Sequence, residues 1–207
     1  MSFPSELTTS ELSAVNQILA AVGQAPVTTL DQTNPDTTIA YNTLVEVSRE
    51  IQAQGWIFNS EFELPLIPDN DGDIIIPSNV LRVDRSEIPE NFGLAVVARS
   101  GKLYNAITHT FNWSALSSPL KCDVVYLTPF DDCPQPFKDY VTARASVVAS
   151  SRMVGDPNQF RLLKEREEQS RAMWMQHESE QGNYTMFGFP RGQEYYYSYK
   201  PFLALRR

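Results

Sequence analysis

The feature that most constrains this chain is a change of period at Gly55. Before it, apolar residues recur at helical spacing: Ala40, Leu44, Val47, Ile51. After it they alternate: Trp56, Phe58, then polar Ser60, then Phe62 and Leu64. Spacings of three and four place one stripe on a helix, whereas a spacing of two places one face on a strand. Glycine suits the switch, because a helix end commonly needs a residue that tolerates positive φ. One short segment therefore ends a helix and launches a sheet.

The rest of the chain is placed around that joint. Thr8 with Glu11 fits a capping box for a first helix over about Thr9–Val22, with Leu12, Val15, Leu19 and Val22 as its stripe and Gly23 at its end. Asn34-Pro35 reads as a cap followed by proline at the first helical position, and the second helix runs to about Gln54. Strand signals then follow: Trp56–Leu66, Ile74–Ile76, Val80–Asp84, Leu94–Arg99 and Lys102–Asn105 around a Ser100-Gly101 hairpin turn, Thr108–Trp113, and Cys122–Leu127. Helical spacing returns after Pro134 with Phe137, Val141, Ala145 and Val148, and Asp131 or Asp132 is placed to cap it. Gly155-Asp156-Pro157 starts a fourth helix reaching about Glu180. Its polar centre offers Arg161–Glu165, Lys164–Glu168 and Glu167–Arg171 as ion pairs on a solvated face.

The expectation is an α+β chain: a four-helix bundle with a small, mainly antiparallel β domain inserted between helices 2 and 3. The bundle would comprise residues 1–55 and 132–183, the inserted domain 56–131, with Gly55, Trp56 and Phe58 as anchors at the junction. Residues 184–207 form an extended, aromatic-rich C-terminal tail holding five of the nine tyrosines. Its Tyr195, Tyr196, Tyr197, Tyr199, Phe202, Arg206 and Arg207 are the candidate partner-binding residues, since Tyr and Arg are enriched in protein contacts.

Charge narrows the partners. The acidic excess behind the net charge of −8 lies in the body, while residues 184–207 carry four basic groups against one acidic. An acidic body is not a nucleic-acid grip, which needs clustered Lys and Arg. No run of about 18 apolar residues offers a membrane span, and the first residues lack a signal peptide's basic and apolar regions. Cys122 and Cys133 read as buried or indifferent thiols of a reducing cytosol.

Chemical motifs are nearly absent. There is no phosphate-binding GxxxxGK[ST], no GxSxG and no HExxH. His109 and His177, the two histidines, support no metal site, and Asp69, Asp71 and Asp73 around Gly72 miss the calcium-loop spacing. No catalytic residue, cofactor or metal is assigned. A carboxylate pair for glycoside cleavage needs only proximity in space, so a glycan hydrolase stays open as an alternative, as does a soluble binding module docking through residues 184–207.

Several blocks resemble the tail tubular protein A family, the adaptors or head-to-tail connectors of short-tailed bacteriophages. They are Glu11–Ala20 with Gly23-Gln24-Ala25-Pro26-Val27, Ile51–Asn59, Asp71-Gly72 with Ile76–Asp84, and Phe137–Ala145. Gly55-Trp56-Ile57-Phe58-Asn59 after a helix is the most specific. The resemblance implies a non-enzymatic virion tail protein, made in the host bacterial cytoplasm. It implies a ring, commonly twelve-fold, between the portal protein and the nozzle protein (tail tubular protein B), with fibres attached at the periphery in some phages. DNA would pass through the ring without specific binding.

Overall fold

The computed structural model describes residues 10–182 apart from positions 32, 87, 89, 90, 92 and 117. The described chain is α+β: four helices and two small antiparallel sheets.

Helix α1, Glu11–Ala21, starts later than the sequence pattern suggests, because Ser10 is its cap and accepts a hydrogen bond from Ser13 N. Thr8 lies outside the described residues. The buried face is Ala14, Val15, Ile18 and Leu19, rotated from the expected stripe so that Leu12 and Val22 sit at its margins. Gly23 at φ +79° ends it, with Gln24 N donating to Leu19 O at 2.9 Å. Helix α2, Pro35–Gln52, begins as expected: Asn34 Oδ1 accepts from Asp36 N at 2.9 Å, with proline at the first position.

Past Gly55 the alternation of Trp56 and Phe58 does not belong to a strand. Ile57–Asn59 is a turn of 3₁₀ helix, and β1 starts only at Ser60, running Ser60–Leu66. Asn59 forces the turn, since its Oδ1 accepts from Trp56 N at 2.8 Å. The other strands are β2 (Val80–Arg85), β3 (Val96–Arg99), β4 (Lys102–Asn105) and β5 (Leu120–Tyr126). One sheet has the order β1-β5-β2, and β3-β4 is a separate hairpin. Ser100 and Gly101 both have positive φ, 53° and 73°, as a two-residue hairpin turn with the strands' twist requires. Ile74–Ile76 and Thr108–Trp113 are not strands. Each contributes one isolated bridge, Ile75 to Lys102 and Thr110 to Asn105. Pro77 cuts the first short, and the Asn105 side chain, accepting from Ile107 N and Thr108 N, curls the second.

Helix α3, Gln135–Met153, has no side-chain cap. Asp131 and Asp132 sit instead in a 3₁₀ turn, Phe130–Asp132, and Asp131 Oδ1 accepts from Glu11 N at the start of α1. A carboxylate expected to cap α3 therefore caps a helix 120 positions away. Helix α4 runs Pro157–Gly182, with Asp156 Oδ1 accepting from Asn158 N.

Helix α3 is the centre of the helical layer and packs on the other three helices. Its small residues Ala143, Ala145, Ser146, Ala149 and Ser150 are all buried, which lets neighbouring backbones approach on several sides. Two of its hydroxyls are satisfied within the helix, Thr142 Oγ1 by Lys138 O and Ser146 Oγ by Thr142 O. None of the three ion pairs expected along α4 forms. Glu167 is 4% exposed and pairs with Lys164 at 2.8 Å and with Arg144 of α3 at 3.3 Å.

Buried side chains gather into two clusters. One joins Ala14, Ile18, Leu44, Ile51, Phe137 and Trp174 among the helices. The other joins Ile74, Val83, Leu103, Trp113, Leu120 and Val124 under the strands.

Candidate functional site at the helix–sheet joint

The chain leaves the helices after Gln52 and returns through Tyr126 to Phe130. Two buried amide side chains stitch these crossings together. Gln52, the last residue of α2, pairs with the backbone of one residue by both ends: its Nε2 donates to Thr128 O at 2.9 Å, and its Oε1 accepts from Thr128 N at 2.8 Å. Asn59 Nδ2 donates to Gln52 O at 3.1 Å and to Tyr126 O at 2.9 Å. With Trp56 N on its Oδ1, Asn59 ties both strands of the crossing and the 3₁₀ turn. Gln52 is fully buried and Asn59 is 3% exposed, so these bonds face no competition from bulk water.

The sequence anchors fall in this region. Gly55 has φ +82°, and a Cβ there would meet Arg82 Nη2 at 3.0 Å and Val125 Cγ2 at 3.1 Å. Gly55→Ala is expected to cost about 1–3 kcal/mol from the left-handed backbone and crowding together, measured by urea unfolding. Trp56 is half-buried, and its Nε1 donates to Ile51 O at 2.7 Å. Phe58 stacks at a tilt on Phe137 with centroids 4.9 Å apart.

Trp174 of α4 closes the joint. Its ring meets Trp56 and Phe137 edge to face, each at 5.2 Å, and Phe58 at 5.8 Å. One turn on, Glu178 Oε1 accepts from Ile57 N at 2.8 Å. Burial raises the Glu178 carboxyl above its ordinary range, opposed by the Ile57 N–H and by His177. Gln52, Asn59, Trp174 and Glu178 carry the joint; Gln52 and Asn59 stand in the Ile51–Asn59 block but were given no role from sequence, and Trp174 and Glu178 were not singled out. A signal existed: Ser48 and Gln52 continue the stripe of Leu44 at steps of four, and Glu178 stands four beyond Trp174. Tyr195, Tyr196, Tyr197, Tyr199, Phe202, Arg206 and Arg207 lie outside the described residues.

The geometry ties the two crossings of the chain to each other. Cys122 and Cys133 are buried, and burial pushes each thiol up to about 12, far from nucleophilic thiolate. Among the described residues, no three of His, Cys, Asp and Glu gather to hold a metal ion, and no helix is long and apolar enough to cross a membrane. A surface recess on α2 carries Glu46 and Glu50. Glycoside cleavage needs one carboxyl kept protonated, whereas the bidentate hydrogen bonds from Arg152, at 2.8 and 3.0 Å, hold Glu46 below its usual range.

A helical layer tied to a sheet by buried side-chain hydrogen bonds on both crossings has the geometry of a scaffold. The sequence model of the family described as tail tubular protein matches residues 12–184, and the chain belongs to that family. It is also 29% identical over 161 residues to the tail tubular protein A of Klebsiella phage KP34, covering 76% of this chain and 81% of that protein. The chain is thus a structural protein of a bacteriophage tail.

Proposed function

We propose that the chain is the ring-forming adaptor that joins the portal to the tail nozzle and lines part of the DNA ejection channel. Family membership supports the tail setting, and the observation that carries the adaptor reading is the doubly stitched joint. An adaptor must hold one surface at a fixed angle to another, and buried hydrogen bonds on both crossings achieve that. Residues 1–55 with 132–183 form the helical part, which engages neighbouring copies and the portal. Residues 56–131 form the inserted part facing the nozzle protein. Gly55, Trp56 and Phe58, with Gln52 and Asn59, set the angle between them.

A head-to-tail contact that closes by rotation needs two different complementary surfaces on each copy. The basic, tyrosine-rich residues 184–207 supply one of them, with Tyr195, Tyr196, Tyr197, Tyr199, Phe202, Arg206 and Arg207 making the contacts. The assembled ring has twelve copies, tail fibres attach at its rim, and its acidic groups let DNA pass without adhering. The protein is made in the host bacterial cytoplasm and joins the virion there, with no catalytic turnover.

Electron microscopy of the chain mixed with portal protein tests this. Rings seated on the portal are expected, even where the chain alone is monomeric. A folded chain that never forms a ring there contradicts the reading. Deleting residues 184–207 should leave the fold intact and abolish seating.

A further inference from the structure

Three polar atoms near the end of α4 are buried without a hydrogen-bond partner: Trp174 Nε1, His177 Nδ1 and Glu178 Oε2. Among the described residues only Thr37 Oγ1 and Ser150 Oγ share that condition. Positions 174, 177 and 178 are three and four apart, so all three atoms lie on one helix face. That face is the one against the joint, where Trp174 packs on Trp56, Phe58 and Phe137, and the His177 ring stacks on Trp174 at 5.6 Å. Buried orphan polar groups are rare in folded proteins, and three within five residues mark a place where closure is opposed.

We propose that the last turns of α4, Trp174 to Gly182, are a releasable latch on the joint, closed by aromatic burial and the Ile57–Glu178 hydrogen bond and opened by hydration of those three atoms. Opening gives each orphan atom water, so the free-energy gap between closed and open states is small compared with global unfolding. Beyond Glu167, the Ile57–Glu178 bond is the one polar tie from α4 to another element among the described residues. The Gln176–Glu180 and Ser179–Met175 bonds stay within the helix. Opening therefore frees the 3₁₀ turn next to Gly55, whose left-handed backbone is the bend of the outgoing crossing. The latch couples the helix from which residues 183–207 continue to the angle of the sheet. It rests on this geometry and holds whatever the protein assembles with.

The latch is sensitive to pH. Burial binds the Glu178 proton more tightly in the closed state than in the open one. Closure is then strongest below the ordinary carboxyl value of 4.5 and weakens as pH rises through the elevated one. Around this end Trp56, Ile57, Phe58 and Phe137 carry no ionisable group, Tyr140 of α3 and Cys133 belong to the same buried cluster, and His177 of α4 itself partly opposes the upward shift.

Amide exchange by NMR on the full chain, expressed as protection factors at matched temperature, tests the latch. At pH 7 the Ile57 amide should be about tenfold or more less protected than Val141 and Ala145 of α3. Its protection should rise severalfold at pH 4.5 and in Glu178→Gln, which keeps an acceptor but removes the charge. Equal protection of Ile57 and α3 at pH 7, or no change with pH, overturns the latch. If Glu178→Gln fails to fold, the wild-type pH series decides alone.

Discussion

Replacing Trp174 by alanine is expected to lower the free energy of unfolding by about 3 kcal/mol, toward the lower end of the range for deleting a buried aromatic. The side chain is fully buried and is the point where Trp56, Phe58 and Phe137 meet, so its loss opens a cavity in the joint as well as removing apolar burial. Two effects compete. Cavity formation and lost contact act against the variant, while the indole N–H is buried without an acceptor and costs the wild type roughly 1–3 kcal/mol. Trp174→Phe separates them, because it keeps a ring and removes the orphan donor. Its expected cost is about 1 kcal/mol, well under that of alanine. Urea unfolding followed by fluorescence and circular dichroism reads both, and a phenylalanine variant as damaged as the alanine one would contradict this assignment.

Gln52→Leu is expected to cost about 2–4 kcal/mol although it keeps shape and adds apolar volume. Leucine leaves both the N–H and the C=O of Thr128 without their partner, and it also removes the bond to Ser48 Oγ. Breaking one side of a buried polar pair costs more than the pair itself contributes, because the remaining groups stay desolvated. Gln52→Glu should be at least as damaging, since a carboxylate accepts from Thr128 N but turns its second oxygen toward Thr128 O. Denaturant unfolding measures both, and a leucine variant as stable as wild type would mean that the clasp does not hold the crossings.

The elements with local chemical signals were legible in the sequence. Asn34-Pro35 and Asp156-Pro157 start helices where their spacing says they should, and Ser100-Gly101 turns the hairpin. The α+β class followed from the change of period at Gly55 and its reversal near Pro134. What escaped depended on partners far along the chain. Trp56 and Phe58 stand two apart, which a strand and a three-residue turn both allow; the decision lay with Asn59, whose side chain bonds backbone on both crossings. Helix α4 looked solvated because its buried positions are Glu167, Trp174, Glu178 and Gly182, a stripe almost without aliphatic residues. Its carboxylates are buried because Arg144 and Lys164 meet one and Ile57 N–H meets the other.

These particulars bear on function in one way. Four residues outside the simple apolar pattern, Gln52, Asn59, Trp174 and Glu178, converge on the seam between helices and sheet. A protein that only needed to be stable could have filled that seam with aliphatic side chains. The directional hydrogen bonds of Gln52 and Asn59 add orientation that aliphatic packing lacks.

Imaging the intact phage particle tests the central claim most directly. Cryo-electron microscopy of the tail should place the helical part of this chain against the portal and the β1–β5 sheet region against the nozzle, in a closed ring around the DNA channel. Density for the chain at the outer surface alone, with portal and nozzle in direct contact, would contradict it.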